Sequence, residues 1–235
     1  MLTVGSLFSG IGGLDLGLER AGMEVIWQSE IDPYACKVLS KHWPAVVNHG
    51  NIKDIQWGDI VRPDVICGGY PCQPFSLAGP DRKGEQDPRH LWPWVRESIS
   101  VLRPRYAILE NVQGHLTLGG TTVIKEITDL GYDCEWRVVS ASSVGAHHRR
   151  NRVVIVAYPR SIGRPRRGFA FESDNEEIRR HGIRSAEYWS DEPRVGRMAH
   201  GIPHRVDRLK GLGNAVVPQM AELIGRMVID HDSNK

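Results

Sequence analysis

The sequence predicts an α/β fold: a mostly parallel, twisted sheet with helices on both faces, plus a small irregular region. Three observations predict it. Residues 2–8 form an apolar strand pattern that runs into Ser9-Gly10-Ile11-Gly12-Gly13 and then a helical stretch with Leu14, Leu16, Leu18 and Ala21. Strand, glycine turn and helix together open a nucleotide-binding α/β unit. Short β-branched runs then recur between helical stretches, as at Val65-Ile66-Cys67 and Val153-Val154-Ile155-Val156-Ala157. From Tyr158 to about Arg208 both periods vanish, which marks the irregular region.

Composition bounds the function. The chain has 235 residues, 40% hydrophobic and 25% charged, enough for one good-sized core and too apolar for disorder throughout. Cys36, Cys67, Cys72 and Cys134 form no C-x-x-C pair, so neither a zinc knuckle nor a disulfide framework is indicated. They read as reduced thiols, and the expected location is the cytoplasm. No apolar run approaches the roughly 18 residues of a membrane span, and residues 1–5 enter a strand with no charged leader. Residues 137–210 hold 16 Lys and Arg against 8 Asp and Glu, a local charge of +8 in a chain of net +2. A basic segment on an acidic body points to a polyanion partner.

The elements follow in order. The glycines at 10, 12 and 13 let a ligand approach the backbone, and the helix start after them favours an anionic group. Val25-Ile26-Trp27-Gln28-Ser29-Glu30 is a second strand ending in an acid. Glu30 lies 20 residues after Gly10, the spacing of a carboxylate that takes ribose hydroxyls. Residues 33–41 read as a helix with Pro33 in its first turn. Residues 48–52 form a short strand or turn, and its loop, with Asn51 and Ile52, is placed to touch a purine.

Cys72 sits on a stiff loop just past the strand at 65–67, between Pro71 and Pro74. Each proline forces its predecessor into an extended conformation. A polar, glycine-containing stretch at 79–87 leads to a helix ending near Val101. The run 106–109 is a buried strand that ends at Glu110-Asn111-Val112. A charge there is costly unless paired or used, and it shares the sheet edge with Cys72. Residues 119–130 read as a helix capped by Gly131, and 134–139 as a strand. His147-His148-Arg149-Arg150-Asn151-Arg152 then crowds the mouth of the sheet with cations. The His pair lacks a third ligand of suitable spacing, so no metal is expected. Leu209 to Pro218 leads into a final helix at 219–229, with Met220, Leu223, Ile224 and Met227 as its apolar stripe.

Five blocks, Phe8-Ser9-Gly10-Ile11-Gly12-Gly13, Pro71-Cys72-Gln73, Glu110-Asn111-Val112, Arg150-x-Arg152 and Gly213-Asn214-Ala215-Val216, occur in the order of the DNA cytosine-5 methyltransferase family. The chain resembles that family over residues 1–157 and 209–229. The resemblance implies a Rossmann-like, S-adenosylmethionine-dependent methyltransferase fold, a catalytic domain at 1–157 and 209–235, and a short target-recognition region at 158–208. It also implies methyl transfer to carbon 5 of a flipped cytosine in double-stranded DNA, with Cys72 as nucleophile, Glu110 as the acid at the ring nitrogen, and Arg152 and Arg150 beside it. Phe8, Gly10, Ile11, Gly12, Gly13, Glu30, Ile31, Asn51, Ile52, Pro71, Leu91, Asn214 and Ala215 are assigned to the cofactor by the same resemblance. Gln73, Ser76, Arg164, Arg166 and Arg167 are assigned to the DNA.

Two features depart from the family pattern. His148 stands where a Gln is usual, and the recognition region is abbreviated, as in phage or prophage members. Short specificity, an auxiliary specificity protein or a cognate restriction endonuclease would each fit. Two other readings stay open at this stage: a tRNA cytosine-5 methyltransferase on the same scaffold, and a DNA-binding homologue that has lost catalysis.

Overall fold

The computed structural model describes residues 1–71, 90–117, 119–162 and 205–233. Seven strands form one sheet: β1 (Thr3–Leu7), β2 (Glu24–Ser29), β3 (Val47–Asn48), β4 (Val65–Gly68), β5 (Tyr106–Val112), β6 (Tyr132–Ser140) and β7 (Asn151–Pro159). Their order is β3-β2-β1-β4-β5-β7-β6. The first five are parallel; β7 runs antiparallel to both β5 and β6. The chain winds outward from β1 to β3 and then in the other direction from β4. The crevice at the carboxyl ends of β1 and β4 is therefore the switch point where open α/β sheets bind ligands.

Both faces of the sheet are covered, and alternation along the strands decides which side chain goes where. Val4, Val65, Cys67, Tyr106 and Ile108 share one apolar cluster with α1 (Gly13–Ala21) and the C-terminal helix α6 (Pro218–Ser233). Leu7, Ile66, Ala107 and Leu109 face the other way, against α3 (Trp92–Leu102) and α4 (Gly120–Asp129). Two further helices, α2 (Pro33–His42) and α5 (Arg205–Asn214), flank the carboxyl edge. Asp32 caps α2 by accepting from the backbone N–H groups of Tyr34 and Ala35, and Pro33 fills the first position. No helix among the described residues is long and apolar enough to cross a membrane.

Two boundaries differ from the sequence reading. β7 continues to Pro159, opposite Tyr132, and a 3-10 turn follows at Arg160–Ile162. Tyr158 is buried rather than the start of an irregular region. The stretch 205–214, with its two glycines, straddles the end of the irregular region and the lead into the final helix in the sequence reading, yet is helical. Tertiary contact outweighs glycine's poor propensity here: Gly211 lies against Ile11 and Tyr34, and the Lys210 ammonium donates to Asp32 at 2.7 Å.

Contact between α1 and α6 returns the C-terminal segment to the sheet edge. It depends on backbone proximity, because a Cβ on Gly17 would lie 2.3 Å from the carbonyl oxygen of Pro218 and 2.4 Å from Ala221 Cβ. In a free helix, glycine to alanine gains about 1 kcal/mol. Here overpacking opposes that gain. Gly17→Ala is expected to lower unfolding free energy by roughly 1–3 kcal/mol in denaturant titration; an unchanged or raised value would contradict the packing account.

Candidate active site

A cavity of about 370 Å³ opens along the carboxyl edge of the sheet. Its floor comes from the ends of the strands: Phe8 to Ile11 after β1, Ser29 and Glu30 from β2, Gly69 to Pro71 after β4, and Glu110 to Val112 from β5. Asn51, Ile52, Leu91 and Arg152 close its sides. Asp207, Lys210, Gly211, Asn214 and Ala215 reach over it from α5 and the link beyond.

The turn after β1 is built for close approach. Phe8 and Gly10 both have positive φ, 52° and 56°, and a Cβ on Gly10 would meet only the Phe8 carbonyl oxygen, at 3.9 Å, among the described residues. The Gly10 N–H donates to Glu30 Oε2 at 2.8 Å, so the 20-residue spacing becomes a direct contact between two strand ends. Glu30 Oε1 accepts from the N–H groups of Ile31 and Asp32 at 2.8 and 2.7 Å. These bonds fix the carboxylate at the rim and leave further lone pairs for a hydroxylated ligand. Asn51 uses its side-chain oxygen to cap the turn that begins at Ile52, and Ile52 is buried as an apolar wall.

At the other end stands Glu110, only 7% exposed. Arg152 Nε lies 2.7 Å from Glu110 Oε1. Glu110 is opposite Val154 and Arg152 opposite Val112, so the pair is a diagonal contact across β5 and β7. Gly69 makes the room for it, since a Cβ there would lie 2.6 Å from Glu110 Oε2. Burial pushes the Glu110 carboxyl up to about 7 from an ordinary 4.5, against the opposing pull of Arg152 and Arg150. Asn111 donates to the Tyr70 carbonyl at 3.2 Å. The Tyr70 hydroxyl shares a 2.6 Å hydrogen bond with His115 Nε2, and its ring packs on Trp92. Tyr70 and Pro71 are thus tied to the strand that carries Glu110.

Most of the residues expected at the cofactor meet here: Phe8, Gly10, Ile11, Gly13, Glu30, Ile31, Asn51, Ile52, Pro71, Leu91, Asn214 and Ala215 all line one cavity. Two residues stand apart. Gly12 does not line the cavity, and the position of its absent Cβ is filled by the ring of Trp43 at 2.4 Å. Arg150 does not line the cavity, although its charge acts on Glu110, and it donates through Nη2 to the carbonyls of Gly213 and Ala215, the latter at 2.9 Å. It clamps the segment that closes the site. Cys72, Gln73, Ser76, Arg164, Arg166 and Arg167 lie outside the described residues.

Sequence reasoning missed Ser9, Asp32, Tyr34, Asp207 and Lys210 as cavity residues. The ion pair between Lys210 and Asp32 spans the mouth, and the Lys210 bond holds the Asp32 carboxyl below its usual range. The helix start at Pro33 was visible in sequence, but nothing there marks Asp32 as its cap or links it to a lysine 178 positions away.

The family model for C-5 cytosine-specific DNA methylase matches residues 2–186. Among curated relatives, the type II methyltransferase M.HgiCII of Herpetosiphon aurantiacus is 31% identical over 176 residues, covering 73% of this chain and 40% of that protein. M.NgoFVII of Neisseria gonorrhoeae is 35% identical over 157 residues, 64% of this chain and 42% of that one. The chain therefore spans about 40% of the length of the curated relatives it matches. Of solved structures, a candidate DNA modification methyltransferase encoded within an E. coli prophage superposes with TM-score 0.58 at 28% identity, over 69% of this chain and 48% of that one. A DNMT2 variant of Spodoptera frugiperda gives 0.61 at 23% identity, over 72% of this chain and 53% of that one, a likeness of fold.

Because the folded Glu110 pKa is raised, its protonated form contributes stability that is fully present below about 4.5 and is lost as pH rises through about 7. Arg152 opposes the shift, so Arg152→Ala is expected to move the Glu110 titration above 7. Carboxyl-carbon NMR across pH 5–9 reads it directly; an unmoved or lowered pKa would show that the ion pair has no hold on this carboxyl.

Proposed function

This chain belongs to the C-5 cytosine-specific DNA methylase family, and from that premise we propose that it transfers a methyl group from S-adenosylmethionine to carbon 5 of cytosine in DNA. One observation supports the reading above the others. A buried carboxyl, Glu110, paired with Arg152, opens on the same cavity as a glycine turn anchored to Glu30.

The cavity suits the cofactor. Glu30 offers acceptors to ribose hydroxyls, Ile52 an apolar surface to adenine, and the open side of Gly10 a close backbone approach. When bound, the sulfonium supplies an electrophilic methyl group. Phe8 would flank it, and Asn214 and Ala215 would cover it from the C-terminal side, where Arg150 holds the Ala215 carbonyl.

Carbon 5 of cytosine is a weak nucleophile. Addition of the Cys72 thiolate to carbon 6 moves an electron pair toward carbon 5 and puts charge on ring nitrogen 3. Glu110 delivers a proton to that nitrogen, and a carboxyl with a pKa near 7 is matched to the task at neutral pH. Arg152 orients Glu110 and faces the ring oxygen. Carbon 5 would then carry the methyl group that S-adenosylmethionine, held by Phe8, Gly10, Glu30 and Asn214, would supply, its sulfur ending as a neutral thioether. A base removes the carbon 5 proton, for which water is a candidate. The carbon 6–sulfur bond breaks, the proton on ring nitrogen 3 returns to Glu110, and cytosine recovers its ring as 5-methylcytosine with Cys72 again a thiolate. The target must leave the duplex to reach the pocket. The segment 158–208 would supply recognition, with Arg164, Arg166 and Arg167 on phosphates and Gln73 and Ser76 beside the flipped base. Its brevity, and the type II naming of the relatives, make an auxiliary specificity protein or a cognate endonuclease the partners to seek.

Single-base methylation sequencing of unmethylated DNA, incubated with the protein and S-adenosylmethionine, tests the reading. 5-Methylcytosine in a defined context is expected, abolished by Cys72→Ser and reduced about 10²–10⁴-fold by Glu110→Gln. Methyl transfer that survives Cys72→Ser, or cofactor binding with no transfer to DNA, would overturn it.

A further inference from the structure

Beneath the glycine turn lies a buried polar network that the proposed chemistry does not use. Asp15, in the first turn of α1, is fully buried. Its carboxylate accepts from Ser6 Oγ at 2.9 Å and from Gln28 Nε2 at 2.7 Å. Ser9 Oγ in turn donates to Ser6 Oγ at 2.9 Å and to the Ser6 carbonyl at 3.2 Å. Two short hydrogen bonds thus run from Asp15 to Ser9, which lines the cavity. The Ser9 carbonyl accepts from the Gly12 N–H at 2.9 Å, and the Ser9 N–H donates to Ser29 at 3.3 Å. The turn between Phe8 and Gly12 is thus held from below through Ser9, while Glu30 holds it at Gly10.

A buried carboxylate is expensive, and core serines are ordinarily replaceable by alanine. An apolar side chain at position 15 would serve packing between α1 and the sheet equally well. What the carboxylate adds is direction: it fixes the Ser6 hydroxyl, and through it Ser9. The turn it holds contains a non-glycine residue at positive φ, Phe8, a conformation that surroundings must impose. Burial raises the Asp15 carboxyl to about 6 from 3.8, and Glu19 on α1 adds to the rise, while Cys67 on β4 is the other titratable group facing it.

We propose that Asp15 is a positioning residue of the cofactor site, which acts through Ser6 and Ser9 to hold the turn from Phe8 to Gly12 in its ligand-receiving shape. The inference rests on the reading of the cavity as an S-adenosylmethionine site. It assigns Asp15 no contact with the reacting atoms. It predicts that loss of the carboxylate weakens cofactor binding and leaves the chemical step alone.

The test compares Asp15→Asn, Ser9→Ala and Ser98→Ala in the full chain. Ser98 is an equally buried hydroxyl on α3, bonded within its own helix to the Val95 carbonyl. Calorimetric titration with S-adenosylhomocysteine measures binding without turnover, and thermal melts confirm folding. Asp15→Asn and Ser9→Ala are each expected to weaken binding about tenfold or more and to raise KM for the cofactor likewise. kcat and KM for DNA should stay within about twofold, and Ser98→Ala should bind as the parent does. Coupling between positions 15 and 9 should make the double variant no worse than the worse single. A lowered melting temperature in Asp15→Asn and Ser9→Ala with unchanged affinity would overturn the proposal and leave a structural network only. If Asp15→Asn does not fold, Ser9→Ala alone decides between these outcomes. A parent protein that binds no S-adenosylhomocysteine would instead refute the cofactor reading itself.

Discussion

The Arg152–Glu110 ion pair is the constraint on which the rest of the site depends. A carboxyl at the end of a buried strand pays for its desolvation in a raised pKa, and the guanidinium keeps it from being lost to full protonation. The pair also bridges the seam where the parallel sheet becomes antiparallel. β7 must enter from the carboxyl edge for Arg152 to lie across from Val112 and reach Glu110 diagonally. Were β7 parallel to β5, the start of its strand would lie at the far edge. Reversal of one strand thus serves the chemistry.

The remaining elements bring two half-sites to one crevice. β1 and β2 carry the glycine turn and Glu30; β4 and β5 carry Tyr70, Pro71 and Glu110. The C-terminal segment closes over both because α1 and α6 approach at Gly17 and Gly225, where Cβ atoms would meet Pro218 and Ala21. Arg150 then ties the link after α5 to the mouth of β7, and Lys210 ties α5 to the start of α2. Cover and floor are fastened at different edges of the sheet.

Local signals made much of this legible from sequence. The glycine turn, Glu30 at its spacing, the acid ending the strand at 110 and the C-terminal stripe of Met220, Leu223, Ile224 and Met227 all fell where expected. What periodicity does not carry is strand direction or long-range partnership. The β-branched run at 153–157 reads alike in either orientation, so the antiparallel placement of β7 was not visible. Asp15 looks like an ordinary acid at a helix start, where the dipole favours it. Only the fold shows it buried under the turn. The resemblance gave Gly12 to the cofactor and Arg150 a place beside Glu110; what sequence does not carry is that Trp43 packs on Gly12 and that Arg150 also holds the carbonyls of Gly213 and Ala215. Helix α5 begins inside the stretch where the sequence shows no period.

The central claim is that this chain methylates cytosine through a covalent bond at Cys72, with Glu110 as the acid beside it. A DNA duplex carrying 5-fluorocytosine in place of the target tests this most directly, because carbon 5 then has no proton to lose and the adduct cannot collapse. Intact mass spectrometry after incubation with S-adenosylmethionine should show a complex of protein, DNA and one transferred methyl group, with the crosslinked peptide containing Cys72. A crosslink at another residue, or none while 5-methylcytosine still forms on ordinary DNA, would contradict the account.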